Sequence, residues 1–550
     1  MPATRVTRND EDELDGRRRG SSGAPATAPI LSRSGLVAAA VFVAALAAVL
    51  PWIGRQEIWS KDEARTALVV REMLESRDWS LPRVPGGIHS RKPPLYHWLA
   101  ALVARRAVDE VALRLPAAAA AAGTASLTFL IGGHLATPAV GLAAAAMLTA
   151  SPIFFEWARI ARMETLLVFC ITLSLLGLTR WALAGGRGNG LVFGLGIGMG
   201  VLAKGPAGFL PLPIAALTLL VLRSWPARLR ELWPGLALAA AVPVAWLAPA
   251  ALAAPDFGQY IRSVGPTLAN ELARPSSPVA TALAVMVVGC FPWTVLLPGS
   301  FALLARRRPL PPLAALSLAW LVVVLVVFLG VISPRAVYFL PASPALALLA
   351  AWGWLADGSP RRWMAWPLGL AVAAAVATGL AAAVWPLRLT SHGDPFELPR
   401  FVGLVSGSAL LALGLVALVL GRRGRLLTAV VLLAAAVVVT LVALDAGART
   451  PFYNRLYPIR ASVERLERRI PPGAEVGYTE GQRDTALAVN LSRPLRQLPA
   501  LEIREPPRPA PPYVLLPERE FLAVHESWGL RRVDDVYFRK VRYILAATGR

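Results

Sequence analysis

Long blocks of apolar residues with almost no charge recur along most of this chain, separated by short stretches rich in arginine, proline or glycine. Gly35–Ile53, Ala280–Leu304 and Arg425–Leu444 are examples, and a run of about 20 such residues is long enough to cross a hydrocarbon core roughly 30 Å thick. By this criterion spans fall at 34–53, 115–134, 138–156, 164–183, 190–203, 205–222, 234–253, 278–300, 310–332, 336–356, 364–386, 400–420 and 426–446, about thirteen in all. The pattern predicts a polytopic α-helical membrane protein. No compact basic leader precedes the first block and no small-residue cleavage site follows it, so it reads as a span. The fifth block is short and carries Gly194, Gly196, Gly198 and Gly200, which suits close helix packing.

The polar stretches complete the plan. Residues 1–33 mix acidic residues with Arg17–Arg19 and a Ser/Gly/Ala/Pro run, the signature of a disordered tail. Residues 447–550 alternate in short segments, Glu475–Tyr478 and Tyr513–Leu516, with an amphipathic run around Glu518–Val524. That region reads as a small soluble α/β domain.

Charge fixes the expected orientation. Of 550 residues 56% are hydrophobic and 16% charged, with a net charge of +22. The arginines concentrate in short loops: Arg187; Arg223, Arg228 and Arg230; Arg306–Arg308; Arg361 and Arg362; Arg422, Arg423 and Arg425. Cytoplasmic loops carry such an excess, so the N-terminus reads as cytoplasmic. The loops Arg55–Val108 and Ala254–Ser277 are then outside, and an odd number of spans sends the C-terminus there too. The same distribution explains the net charge without a nucleic-acid partner. Cys170 and Cys290 fall inside spans and the five histidines are scattered, so neither a disulfide framework nor a histidine–cysteine metal site is indicated.

Candidate chemistry collects on the outer side. In Trp59-Ser60-Lys61-Asp62-Glu63-Ala64-Arg65, Ser60 and Glu63 have the spacing of a capping box, and Ala67, Val70, Met73 and Leu74 form a helical apolar stripe. A surface helix is expected, with Asp62 and Glu63 in its first turn. The helix dipole alone accounts for a carboxylate there, but Asp62 is not needed for the cap. A second surface helix follows Lys92-Pro93-Pro94, since proline favours a first turn. Tyr96 and Trp98 read as interface aromatics. Arg162 and Glu164 enter the fourth span, Lys204 sits in the turn between spans five and six, and Arg335 and Tyr338 occupy the turn between spans nine and ten. Ionisable groups at span ends are costly and face a cavity or partner. Their convergence on one membrane face suits displacement of a phosphate leaving group: a carboxylate orients or deprotonates the acceptor while cations neutralise the phosphate.

At these residues the chain resembles GT-C glycosyltransferases of the lipid A aminoarabinose transferase and protein O-mannosyltransferase group. The resemblance runs over roughly 34–450 and rests on Asp62-Glu63-Ala-Arg65, Arg71-Glu-Met-Leu, Asp78-Trp79, Lys92-Pro93-Pro94-Leu95 with Trp98, Arg114-Leu-Pro, Lys204-Gly205-Pro206 and Arg335-Ala-Val-Tyr338-Phe-Leu-Pro341. It implies a transmembrane catalytic domain at 34–446, with juxtamembrane helices in the loop 54–108, and an outer domain at 447–550. It further implies a sugar donor linked to polyprenyl phosphate, with Asp62 the main catalytic carboxylate and Glu63 and Glu164 beside it. Arg65, Lys92, Arg162, Lys204, Arg335 and Tyr338 would serve the donor phosphate. Glu164 stands where members of the group carry Asp, Arg91 where a carboxylate is common, and Arg335 where Lys is common.

The sequence therefore reads as an inverting transferase of the cytoplasmic (inner) membrane, with a lipid (lipid A-like) or a protein acceptor. Asp62 is the base for a hydroxyl acceptor; for a phosphate acceptor it orients the nucleophile or holds a divalent metal, the one cofactor in question. The alternative is a transporter or flippase for a lipid-linked substrate. Transporters, however, tend to keep polar sites near the midplane within internal repeats, and no repeat is visible here.

Overall fold

The computed structural model describes residues 33–84, 87–88, 92–105, 108–222, 229–262, 279–307, 309–330, 336–355, 369, 373, 377, 388–391, 394–397, 399–479, 484–498, 509–538 and 541–549. The tail before Arg33, nearly all of the span expected at 364–386, and Arg335 lie outside the described residues.

Helices follow the apolar blocks: α1 (Arg33–Val49), α2 (Lys61–Ser76), α3 (Leu95–Val103), α4 (Glu110–Leu135), α5 (Pro138–Thr149), α6 (Pro152–Ala158), α7 (Met163–Ala184), α8 (Arg187–Lys204), α9 (Pro211–Val221), α10 (Trp233–Ala253) and α11 (Val279–Gly289). After these come α12 (Leu297–Arg306), α13 (Pro312–Gly330), α14 (Ser343–Leu355), α15 (Arg400–Arg422) and α16 (Leu426–Leu444). Among the described residues seven helices are long and apolar enough to cross a membrane. The chain is a multi-pass helical membrane protein. Four other expected spans are shorter apolar helices: Arg33–Val49, Pro211–Val221, Trp293–Arg306 and Pro312–Val327.

Two expected spans are broken. The block at 138–156 splits into α5 and α6, bent by 67°. Pro152 has no N–H to continue the ladder and starts a new helix, while the Ser151 hydroxyl donates to the Met147 carbonyl at 2.8 Å. The block at 278–300 stops at Gly289 and restarts through a short 3-10 turn, Trp293–Leu296. A hydropathy window reads straight through both breaks, because the residues at them are themselves apolar or small.

The glycines of α8 do what their spacing suggests. A Cβ on Gly194 would meet the Gly235 carbonyl oxygen of α10 at 1.7 Å, and one on Gly196 would meet the Cys170 carbonyl of α7 at 2.6 Å. Gly194 and Gly198 thus face α10, Gly196 faces α7, and α8 is gripped between them.

The last membrane helix does not end at the expected boundary. A π-helical turn, Asp445–Arg449, carries α16 into α17 (Thr450–Leu456), and α18 (Ile459–Glu467) follows. Beyond it lies a five-stranded sheet of β1 (Val476–Tyr478), β2 (Leu495–Gln497), β3 (Tyr513–Pro517), β4 (Leu530–Phe538) and β5 (Val541–Thr548), in the order β2-β1-β3-β5-β4. The first three strands are parallel and the last two antiparallel, and helices α19 (Asp484–Asn490) and α20 (Glu518–Trp528) connect them.

This sheet region is clamped to the first loop. Arg71 on α2 donates to the carbonyls of Leu491 at 2.6 Å and Arg493 at 2.9 Å. Arg460 donates to both oxygens of Glu110 at 2.8 Å, and Asn454 bridges the backbone of Arg55 and Glu57. The first loop and the chain after α16 therefore share one end of the helix bundle.

Candidate active site

Helix α2 starts where the sequence suggests, but only half of the capping box forms. The Ser60 hydroxyl accepts the Glu63 N–H at 3.3 Å. The Glu63 carboxylate turns away instead: it accepts Arg114 Nε at 2.9 Å and Nη2 at 3.2 Å, and the Ala161 N–H at 2.9 Å. Arg114 also donates to the carbonyls of Ile53 and Gln56 at 2.7 and 2.8 Å. Burial pushes the Glu63 carboxyl up, but Arg114 overrides it and holds the group below the ordinary carboxylate range. Glu63 thus ties the first loop to α4 and to the chain before α7.

Its neighbour Asp62 is placed differently. Asp62 is paired with Arg162 (Nη1–Oδ2 2.8 Å) and its side chain is 48% exposed. Arg162 also holds Glu164 at 2.9 Å, and Lys204 reaches the same Glu164 oxygen at 3.1 Å. The Lys204 ammonium lies over the Tyr338 ring, 4.8 Å from its centroid. Lys92 is within electrostatic range of Glu164 and Lys204. Five residues from four separate regions therefore form a ladder of alternating charge, Asp62–Arg162–Glu164–Lys204–Tyr338, with Lys92 beside it. Charged groups at span ends are held here by one another.

A cavity of about 760 Å³ opens at the Asp62 end, lined by Trp59, Asp62, Glu156, Trp157, Arg162 and Arg449 among others. Its apolar wall includes Ile153, Ala284, Val285 and Val288. The bend between α5 and α6 brings Ile153, Glu156 and Trp157 to that wall. A second charge cluster, which sequence reasoning did not find, reaches the same cavity through Glu156, Arg159 and Arg449. Arg449 pairs with Glu156 at 3.0 Å and with Asp445 at 3.7 Å, and Asp445 also pairs with Arg159 at 2.7 Å. The sequence held one signal of it, an Asp–Arg pair four residues apart at the end of the last apolar block.

Other expectations are placed differently. Arg65 is buried and within electrostatic range of Tyr478 on β1. Tyr96 is no interface aromatic: it is fully buried and its hydroxyl donates to the Leu113 carbonyl at 2.9 Å. Trp98 donates to the Trp79 carbonyl at 3.0 Å, so it also braces the first loop. As for a metal, no group of three or more His, Cys, Asp or Glu that suits an ion occurs among the described residues. Asp62 and Glu164 are occupied by Arg162 and Lys204.

With this geometry in hand, the comparisons are direct. Residues 91–249 match the family model described as dolichyl-phosphate-mannose-protein mannosyltransferase. Over 339 residues the chain is 30% identical to an undecaprenyl phosphate-alpha-4-amino-4-deoxy-L-arabinose arabinosyl transferase of Pectobacterium carotovorum, covering 58% of each. A protein of the same name from Pseudomonas paraeruginosa is 30% identical over 308 residues, 53% of this chain and 55% of that one. The crystal structure of ArnT from Cupriavidus metallidurans bound to undecaprenyl phosphate superimposes with a TM-score of 0.74 at 20% identity, over 94% of this chain and 99% of that one. The chain is thus similar in part of its sequence to these transferases and shares the fold of the ArnT structure. The match spans less than three fifths of the length of the curated relatives, whereas the fold shared with ArnT covers 94% of this chain.

Proposed function

We propose that this GT-C protein is an inverting glycosyltransferase that takes a sugar from a polyprenyl-phosphate carrier at the outer face of the inner membrane. The observation that carries the reading is the ladder from Asp62 through Arg162 and Glu164 to Lys204, whose Asp62 and Arg162 end lines a cavity with both polar and apolar walls. A lipid-linked phosphate needs both walls: cations for its head and an apolar surface for the first isoprene units. The names of the similar proteins, which use undecaprenyl and dolichyl phosphates, agree with this.

In the proposed reaction the acceptor oxygen attacks the anomeric carbon while the bond from that carbon to the phosphate oxygen breaks. The electron pair leaves with the polyprenyl phosphate, whose charge Lys204, Arg162, Lys92 and Arg335 neutralise. A single displacement inverts the anomeric centre. A hydroxyl acceptor passes its proton to Asp62; a phosphate acceptor needs only orientation. The acceptor is a lipid resembling lipid A or a protein. The N-terminus is cytoplasmic, about thirteen spans cross the membrane, and the domain after α16 is extracytoplasmic.

The test is turnover by the full chain in detergent, with undecaprenyl-phosphate-linked pentoses and hexoses offered alongside a glycolipid and a peptide acceptor. Release of undecaprenyl phosphate that depends on acceptor and disappears in Asp62→Asn is the expected result. Acceptor-independent or absent release across the panel overturns the reading.

A further inference from the structure

The cavity that receives the Asp62 end of the ladder meets a second chain of charge, built in the same order. In the first, a half-exposed carboxylate (Asp62, 48%) pairs with Arg162, which pairs with the buried Glu164, which holds a second cation, Lys204. In the second, Glu156 (45% exposed) pairs with Arg449 at 3.0 Å, Arg449 stands 3.7 Å from the largely buried Asp445, and Asp445 holds Arg159 at 2.7 Å. The middle arginine of each lies against an aromatic ring: Arg162 is 5.0 Å from the Trp157 centroid and Arg449 is 6.0 Å from that of Tyr453. Both distances are within cation–π range. Tyr453 is stacked on Trp59 at 4.5 Å, and Trp59 on Tyr457 at 5.0 Å. Arg449 is thus oriented by two carboxylates and by a ring that is itself packed in place.

Exposure separates the charged groups on the cavity wall by what they can reach. Glu63, Arg114 and Arg159 have side chains no more than 7% exposed, and their charges are satisfied within the protein. Glu156 and Arg449, at 45% and 27%, present a carboxylate and a guanidinium together to the open space. A sugar hydroxyl is both donor and acceptor. The carboxylate accepts its O–H and the arginine donates to its oxygen, so the pair satisfies neighbouring hydroxyls in both senses through charge-assisted bonds. In the displacement proposed above, the phosphate lies among the ladder's cations and the acceptor meets Asp62. The anomeric carbon is then at the ladder's end, and the rest of the sugar ring occupies the cavity that Glu156 and Arg449 line. A few polar groups so placed fix the orientation of a ligand in its pocket.

We infer that Glu156 and Arg449 form a hydroxyl-reading pair that binds the ring of the donor sugar and selects which sugar is transferred. The inference rests on the transferase reading. It extends the substrate site to α6 and to the π-helical turn Asp445–Arg449, a kind of turn that recurs at functional sites.

Equilibrium binding to the full chain in detergent tests it, with undecaprenyl-phosphate-linked mannose, glucose and arabinose set against undecaprenyl methyl phosphate. The methyl compound is a phosphodiester of the same charge without a sugar, so the ratio of its Kd to that of a sugar diester measures what the sugar contributes. In the wild type this ratio should reach about tenfold or more for at least one sugar, and in Glu156→Ala it should fall most of the way to one. Glu156→Gln keeps the shape and one acceptor oxygen and falls in between, so the comparison survives if Glu156→Ala does not fold. Both variants should bind the methyl diester as the wild type does. A wild type that prefers no sugar diester, or variants that lose methyl and sugar diesters equally, overturns the pair. An unchanged ratio in both variants overturns it too, and a higher KM for the acceptor in them then assigns the two residues to the acceptor. A wild type that binds no diester at all brings down the transferase reading instead, because the carrier and not the sugar is then what fails to bind.

Discussion

Asp62 and Glu63 are adjacent carboxylates on one helical turn, and their surroundings separate their roles. Asp62 is half exposed at a cavity; Glu63 is buried in a bidentate pair with Arg114. Asp62→Asn should therefore lower turnover by about 100-fold or more with little change in the thermal unfolding midpoint. Glu63→Gln should do the reverse first: leaving a buried guanidinium unpaired costs about 3–5 kcal/mol, read as a lower midpoint before any assay. An Asp62→Asn variant with normal turnover would remove the catalytic assignment. His97, fully buried on α3, gives the pH dependence. Burial pushes its pKa down to about 4 from the usual 6.5, so the folded state resists a proton that the unfolded chain accepts. Its contribution is complete above pH 6.5 and declines as pH falls towards 4, by about 3 kcal/mol in total. Thermal midpoints measured between pH 7.5 and 5 should drop less in His97→Gln. At this scale Glu164 and Lys204 were legible because ionisable residues at span ends stand out, and Asp62 because the helix cap does not need it. Glu156 and Arg449 stayed hidden because each gains its meaning from a partner about 290 residues away.

The elements behave as units, and two consequences follow. The ladder joins α2, α7 and α8 through Arg162 and Lys204, which share Glu164. Arg162→Ala and Lys204→Ala should each remove most of the turnover, and the double variant should be little worse than either, since groups acting on one phosphate are non-additive. Independent, small losses would mean that each cation serves only its own headgroup region. In the bundle, Gly194→Ala puts a methyl group where the Gly235 carbonyl sits, at 1.7 Å. Separating α8 from α10 should cost roughly 1–3 kcal/mol, visible as a lower thermal midpoint without a change in KM. The glycines of α8 were legible because a short span so rich in glycine suits close helix packing, here on two sides. The break at Ser151-Pro152 was not, since span length was judged by hydropathy alone and a proline flanked by apolar residues leaves that unchanged.

For the whole molecule, apolar blocks and loop arginines were enough to show a multi-pass helical protein and to suggest its orientation. Reporter fusions at Gly20 and Arg550 should report opposite compartments; matching signals would mean that one span is miscounted. Between the membrane part and the sheet the composition changes at residue 447, while helical structure runs on through Leu456. That continuity matters for anyone who recombines such proteins. A chimera cut at the change of composition keeps the membrane helices and exchanges the rest, and with it Arg449, Tyr453 and Tyr457. Its graft would bring a foreign residue 449 to the cavity wall and foreign partners for the Trp59 ring, however well the new outer domain folded. The exchangeable module begins further on, after Tyr457, and homologous swaps made there should retain activity that swaps at residue 447 lose.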